Sequence, residues 1–363
     1  MSRRGVTLLT AAGLALVLGV LMFVLPVPYV ILVPGPPTDT LGSVPHSTEP
    51  VISVSGAQTY DSSGHLYLTT VGVFPGPCSS HPTLFRALSA WFDSHEAVEP
   101  HQVICPPNQS SQAVQQENAN EMTQSQRDAM TAALLYLGYK PTSLQVILAS
   151  VSPSAPSSKV LRAGDVVLAV NGKPVHSPQE LRAIVGAARI GGPITVTVDR
   201  NGTTMVLHTT VTSDETTHRP LLGVQLDQNA TFRKVKVTIG IDPNDVGGPS
   251  AGLMFTLGII DRLTPGGLTG GKTIAGTGTI DGFGEVGPIG GIQQKVAAIT
   301  GYGPHDKYTP IVHASYFLAP ASECADAKAA APSTLTVIRV DTLATAVKAL
   351  KTIKAGGTDF PRC

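Results

Sequence analysis

The sequence predicts an α+β protein with an N-terminal transmembrane helix, a small β-sandwich-like module and a larger domain of mixed sheets and helices. Three observations carry this reading. An uncharged apolar run opens the chain; two strand-like runs, each followed by Asn-Gly, flank a short capped helix at its centre; and the last third alternates strand and helix patterns between glycine-rich turns.

The opening run, residues 5–25, reads GVTLLTAAGLALVLGVLMFVL. About 21 residues at ~1.5 Å rise cross a hydrocarbon core of ~30 Å. Arg3 and Arg4 on its leading edge place the N-terminus in the cytoplasm and the bulk of the chain outside the cell membrane. A cleaved signal peptide would carry a shorter apolar region, about 7–15 residues, followed by a small-x-small site. Here the run passes directly into PVPYVILVPGPP, so residues 1–33 are expected to form an uncleaved, single-pass anchor.

The 363 residues carry no net charge, with 14% charged and 42% hydrophobic residues, enough for two or three modest domains. Without a basic excess or a basic cluster, nucleic acid is not expected as a partner. The four cysteines, Cys78, Cys105, Cys324 and Cys363, show no C-x-x-C spacing, which argues against a zinc knuckle or a redox pair. In an oxidising space they allow two bridges. The simplest pairing is Cys78 with Cys105 and Cys324 with Cys363, the second tying down the tail TDFPRC; four free thiols are the alternative.

Residues 34–138 form an extracytoplasmic segment. Its first part is rich in Pro, Ser and Gly, with strand-like runs VISVSG from Val51 and HLYLTTVGVF from His65. Residues 111–138 then become amphipathic at helical spacing, with Met122, Met130, Leu134 and Leu137 on one face and Gly138 as C-cap. Asp93, His95, Glu96 and His101 crowd one stretch, but HEAVEPH is not H-E-x-x-H and Pro100 breaks the helix two ligands would need. A solvated loop is expected there, and no metal. Asn108, Asn201 and Asn229 match the N-x-[ST] glycosylation pattern, which matters only in a host that glycosylates exported proteins.

The central zone, residues 144–211, is more specific. Its strand runs VVLAV and ITVTV are followed by Asn-Gly at Asn171 and Asn201, which favours tight turns with positive φ. Between them Ser177 and Glu180 form a capping box that opens a helix. The arrangement LRAGDVVLAVNGKPV, then helix, then late strand, resembles a PDZ domain over residues 139–213. Such domains bind an extended peptide as an added strand. The resemblance implies that Val146, Ile147, Leu148 and Val151 supply the edge strand and Leu181 and Val185 the groove wall. The alternative is a module that only packs against its neighbour.

Residues 214–363 carry the candidate chemistry. The strand-like KVKVTIGI leads into DPNDVGGPSAGLMFTLGIIDRL, which sets Ser250 near the N-terminus of an apolar helix. Free N–H groups there suit a developing oxyanion, and the backbone around Gly248, Pro249, Ser250 and Ala251 is the candidate cradle. A second segment, GFGEVGPIGGIQQKVAAIT, places Lys295 in the first turns of another helix. The helix dipole and desolvation would both lower its pKa, making it a base for a serine that is a poor nucleophile alone.

GGPSAG followed by GEVGPIGGIQQK resembles the proteolytic domain of Lon peptidases, over roughly residues 221–350. The resemblance implies a Lon-type proteolytic domain of mixed sheets and helices and a Ser-Lys dyad at Ser250 and Lys295. It also implies a supporting Thr277 in TGTI, and a homo-oligomeric ring. The strand from His65 and the helix of residues 111–138 look like the opening elements of that domain, so the PDZ module would be inserted within it. The chain departs from the family pattern at Gly247, where many Lon enzymes carry Asp; Asp242 or Asp245 are the candidates to compensate.

Residues 266–273, GGLTGGKT, match the P-loop pattern. They follow a helix rather than a buried strand and precede the strand-like TIAGTGTI, so a glycine-rich hairpin is expected, with Lys272 holding no phosphate. The late strand TVIRVD, ending at Asp341, is likewise no metal-carboxylate strand. No cofactor and no ATP are expected. The reading is a membrane-tethered, ATP-independent serine endopeptidase acting on flexible or unfolded extracytoplasmic polypeptides that a PDZ module recruits or gates. Two alternatives stand beside it. One is a catalytically silent PDZ scaffold; the other is an α/β-hydrolase-type esterase, with Gly248–Gly252 as a G-x-S-x-G elbow and Asp281 with His305 or His313 as partners.

Overall fold

A computed structural model describes residues 3–76, 78, 80–107, 109–214, 218–302 and 311–363. Asn108 and His305 lie outside the described residues. The helices, in chain order, are α1 (Arg3–Val24), α2 (Leu84–Trp91), α3 (His101–Ile104), α4 (Ser111–Tyr136), α5 (Pro178–Gly186), α6 (Gly252–Leu263), α7 (Ile292–Ala298), α8 (Cys324–Ala330) and α9 (Leu343–Lys354). The Val6–Val24 stretch of α1 is long and apolar enough to cross a membrane, and none of it is buried in the protein.

The run from His65 is two strands rather than one. His65–Leu68 pairs in parallel with Thr273–Gly276, whereas Val71–Phe74 pairs antiparallel with Tyr29–Pro34. The chain changes sheets at Thr69–Thr70, which leaves the Thr69 carbonyl free of both ladders. The central sheet runs in the order Thr38–Asp39, His65–Leu68, Thr273–Gly276, Tyr316–Pro320, Thr336–Val340, with all but the first strand parallel. Parallel neighbours need crossovers rather than tight turns, so GGLTGGKT is no hairpin but the loop joining α6 to Thr273–Gly276. Lys354 donates to the Gly266 and Gly267 carbonyls at 2.7 and 2.8 Å. A loop whose carbonyls already hold an ammonium is turned the wrong way for a phosphate cradle.

A second sheet holds, in order, Thr203–Thr210, Pro193–Arg200, Val166–Val170, Ser143–Val151 and Val224–Thr231. Its own core gathers Val146, Leu148, Val167, Leu181, Val185, Val196 and Leu222. Asn171 and Asn201 take φ of 49° and 55° in its turns, and Ser177 caps α5 by accepting from the Glu180 N–H at 3.2 Å. Segments on either side of this module in sequence meet in space: Ile52–Ser55 pairs with Lys236–Ile239, and α4 packs on α6. One core accordingly mixes Leu66, Met122 and Leu134 with Phe255, Ile274 and Leu350. Residues before and after the module of residues 143–231 thus share one hydrophobic core.

Cys78 is bonded to Cys105 and Cys324 to Cys363. The C-terminal tail runs beside the sheet edge, with Arg339 N–H donating to Pro361 O and Cys363 N–H to Val337 O. Two disulfides and an apolar N-terminal helix fit an extracytoplasmic setting.

Candidate active site

Ser250 sits two residues ahead of α6, with Ala251 at its N-cap. The segment before it is held by α4. The Asn118 carbonyl accepts from Gly248 N–H at 2.9 Å, and Ser125 Oγ donates to Pro249 O at 2.9 Å. The approach is close enough that a Cβ on Gly247 would lie 2.7 Å from that of Asn118. A side chain at this position would press on α4. Asp242 does not compensate for the glycine, since its carboxylate caps its own turn at Asn244; Asp245 lies at the rim of the cleft and is exposed.

Lys295 lies on α7, a seven-residue helix started by Gly291 in the left-handed region at φ 66°. A side chain there would strike Val71 at 2.7 Å. That close packing buries Lys295 to 3% exposure. Its Nζ lies 2.7 Å from Ser250 Oγ, 3.0 Å from Thr69 O and 3.2 Å from Thr277 Oγ1. Thr277, fully buried, donates in turn to the Ser250 carbonyl at 3.0 Å. No carboxylate among the described residues bonds the ammonium. Burial lowers the Lys295 pKa to about 7, against a smaller opposing pull from the charge of Glu323. Since α7 is short and Lys295 lies in its last turn, desolvation rather than the helix dipole is the cause.

An ammonium can donate all three contacts, and a neutral amine can keep two of them and turn its lone pair to Ser250. An –NH2 group has two N–H donors, which suit Thr69 O and Thr277 Oγ1, and one lone pair, which suits the Ser250 hydroxyl proton. Of the oxyanion cradle read from sequence, Gly248 spends its N–H on Asn118 and Pro249 has none. The backbone N–H groups of Ser250 and Ala251 have no partner among the described residues and remain as donors. Beside them opens a cleft of about 340 Å³, lined in part by Thr70, Val71, Met122, Val246 and Ala251. Thr69, Asn118, Ser125 and Met122 are site residues that motif reading missed in this role. Only Ser125, a polar residue on the apolar face of an amphipathic helix, carried a local signal.

His313 bridges to Thr300 and is not bonded to Ser250, whose hydroxyl meets Lys295 instead. The strand Lys236–Ile239 also stops well short of the serine, so the elbow geometry is absent. Of the crowded acidic and histidine stretch, Glu96 pairs with Arg86, and His95 bonds Asp93 and stacks on Tyr302.

The peptide groove differs from the sequence reading. The Ser143–Val151 strand, carrying Val146, Ile147, Leu148 and Val151, is not an edge: Val166–Val170 pairs on one side and Val224–Thr231 along the other. The edge strand is Val224–Thr231, beyond the expected boundary at residue 213. Leu181 and Val185 do line the groove, now opposite Leu222, Val224 and Leu226, around a cavity of about 570 Å³. At its far end Gln124 donates to both Asp128 and Asp227. Burial, then the negative charge of Asp227, pushes the Asp128 carboxyl up to about 9.

Residues 120–211 match the family model of the PDZ domain. No curated protein matches the chain. Similar solved structures include the PDZ domain of the SdrC-like protein of Listeria monocytogenes, 22% identical over 22% of this chain and 85% of that one, with a TM-score of 0.22. The PDZ domain of the SdrC-like protein of Listeria innocua is 20% identical over 23% and 92%, with a TM-score of 0.22. GtR34C of Geobacillus thermodenitrificans is 25% identical over 22% and 94%, with a TM-score of 0.21. The match begins inside α4 and ends before the edge strand, and it identifies the central module of this α+β chain as a PDZ domain.

Proposed function

We propose that this chain is a membrane-tethered, ATP-independent serine endopeptidase whose proteolytic domain resembles that of Lon peptidases. The observation that carries the reading is the buried contact of Lys295 Nζ with Ser250 Oγ, shared with Thr277 and free of any bonded carboxylate. In the first step the Ser250 proton passes to neutral Lys295 as Oγ attacks a peptide carbonyl. The oxyanion is held by the N–H groups of Ser250 and Ala251. The C–N bond then breaks, and Lys295 returns its proton to the leaving amine. Water, deprotonated by Lys295, attacks the acyl carbonyl, and the ester C–O bond breaks as Ser250 Oγ takes the proton back from Lys295. Thr277 orients the amine. With no unfolding machine invoked, substrates are flexible or unfolded segments.

The PDZ domain supports polypeptide partners, and the Val224–Thr231 edge beside α5 is where we place a recruited strand. The test compares full-length wild type with Ser250→Ala, Lys295→Ala and His313→Ala on an unstructured protein substrate. The first two abolish cleavage and the third does not. Cleavage that survives Lys295→Ala removes the mechanism. Cleavage absent from wild type as well leaves a binding scaffold.

A further inference from the structure

The sequence ascribes no role to α2, yet Phe85, Leu88, Trp91 and, at its C-cap, Phe92 are all exposed. Taken at about 100° per residue, Leu84, Phe85, Leu88, Trp91 and Phe92 fall within about 120° of one another on the helix wheel. Ala87 and Ala90 turn inward and are buried, while Trp91 and Phe92 are 70% and 86% exposed. Arg86, on the protein-facing side, is fixed by a bidentate pair with Glu96 at 2.6 and 2.7 Å. The stripe is therefore held outward by packing and an ion pair, with its bulky side chains in solvent. An exposed apolar patch of this kind needs an occupant.

Its position names one. Leu84 N–H donates to Leu25 O at 2.9 Å and Val27 N–H to Pro82 O at 3.0 Å, and Pro26 bridges Thr83. Phe85 stacks on Phe23 of α1 with ring centroids 4.4 Å apart. The helix is thus bonded to the residues where the apolar run ends, the depth at which a membrane meets water, where tryptophan rings settle and where interfacial helices bury Trp, Phe and Leu. We infer that α2 is an interfacial helix that beds Phe85, Leu88, Trp91 and Phe92 into the outer leaflet beside the emerging α1. The inference rests on reading α1 as a membrane anchor. Since no cationic cluster accompanies the stripe, the contact is apolar and does not require anionic lipid. It also brings the candidate site close to the bilayer, because the next strand, Tyr29–Pro34, leads to Pro36 on the wall of the Ser250 cleft.

Trp91 is the sole tryptophan, so its fluorescence reports on this face alone. The full-length protein would be reconstituted in phosphatidylcholine vesicles whose acyl chains carry bromine at a shallow or a deep position. The expected result is a loss of emission that is largest with shallow bromine, together with weak quenching by aqueous acrylamide. In Phe85→Ser/Leu88→Ser/Phe92→Ser the vesicles still float the chain, its melting temperature holds, and Trp91 becomes open to acrylamide. Full acrylamide quenching of wild type that floats with vesicles overturns the inference and spares the anchor reading. A chain that fails to float overturns both. Protection from acrylamide without any bromine quenching overturns it in favour of a second copy of the chain.

Discussion

Lys295 Nζ and Ser250 Oγ lie 2.7 Å apart, and the lysine arrives there from a seven-residue helix with its side chain out of solvent. Burial lowers its pKa to about 7, so the neutral amine is within reach near neutral pH. Removing Lys295 is expected to lower kcat/KM on an unstructured substrate by about 10²–10⁴-fold or more, the range for a lost general base, and removing the Ser250 nucleophile to abolish cleavage. Lys295→Arg should not rescue, since guanidinium holds its proton; a rescue measured by peptide-bond cleavage would count against the proton-transfer role.

The pH dependence follows from the Lys295 pKa of about 7. Activity should rise through that value as the amine loses its proton, then level off. For stability, the folded pKa lies below the ordinary 10.5, so between about 7 and 10.5 the unfolded chain binds more protons and stability rises with pH. The burial penalty is present in full below about 7 and gone above 10.5. Lys295→Met is expected to raise Tm near pH 6, with the gap closing toward pH 10.5, as thermal melts across pH would record.

Asp128 gives the opposite sign. Its folded pKa, about 9, exceeds the ordinary 3.8, so the folded state holds a proton the unfolded state has lost, and stability falls with pH between those values. Asp128→Asn keeps the shape without the charge and should flatten that slope in denaturant titrations run from acid to alkaline pH. An unchanged slope would mean the carboxyl is ionised in the fold.

Placing an acidic residue at position 247 should harm this chain. A Cβ on Gly247 meets Asn118 at 2.7 Å, and overpacking of this kind costs about 1–3 kcal/mol. Gly247→Asp is expected to lower Tm and to shift the Ser250 backbone away from the amine. Higher activity at unchanged Tm would show that α4 yields.

The Cys324–Cys363 bridge closes a loop with a sequence separation of 39. In the chain-entropy account its removal costs about 4 kcal/mol. Cys324→Ser/Cys363→Ser should lower the denaturant midpoint and speed amide exchange at Arg339, whose N–H is held by the tail.

Local patterns were readable where the chain speaks to its own neighbours. Ser111–Tyr136 shows helical spacing and ends ahead of Gly138, which takes φ 81°; Ser177 and the two Asn-Gly turns do what their side chains favour. HLYLTTVGVF was not readable as two strands, because what divides it is the demand of two different sheets rather than any breaker. The edge strand of the PDZ groove was missed for a related reason: VQLDQNAT carries little apolar signal, and it becomes a strand by pairing with residues far upstream. Gly248 looked like an oxyanion donor until α4 took its N–H.

By itself the sequence determined the apolar N-terminal helix, the turns and caps of the central module, and the two motifs that carry Ser250 and Lys295, since each depends on contacts within a few residues. Only the tertiary structure decided which strand forms the groove, how closely α4 approaches position 247 and how Lys295 is shut away from water. Those outcomes depend on exclusion of water and on close approach of distant backbone, and neither is encoded at any single stretch of chain.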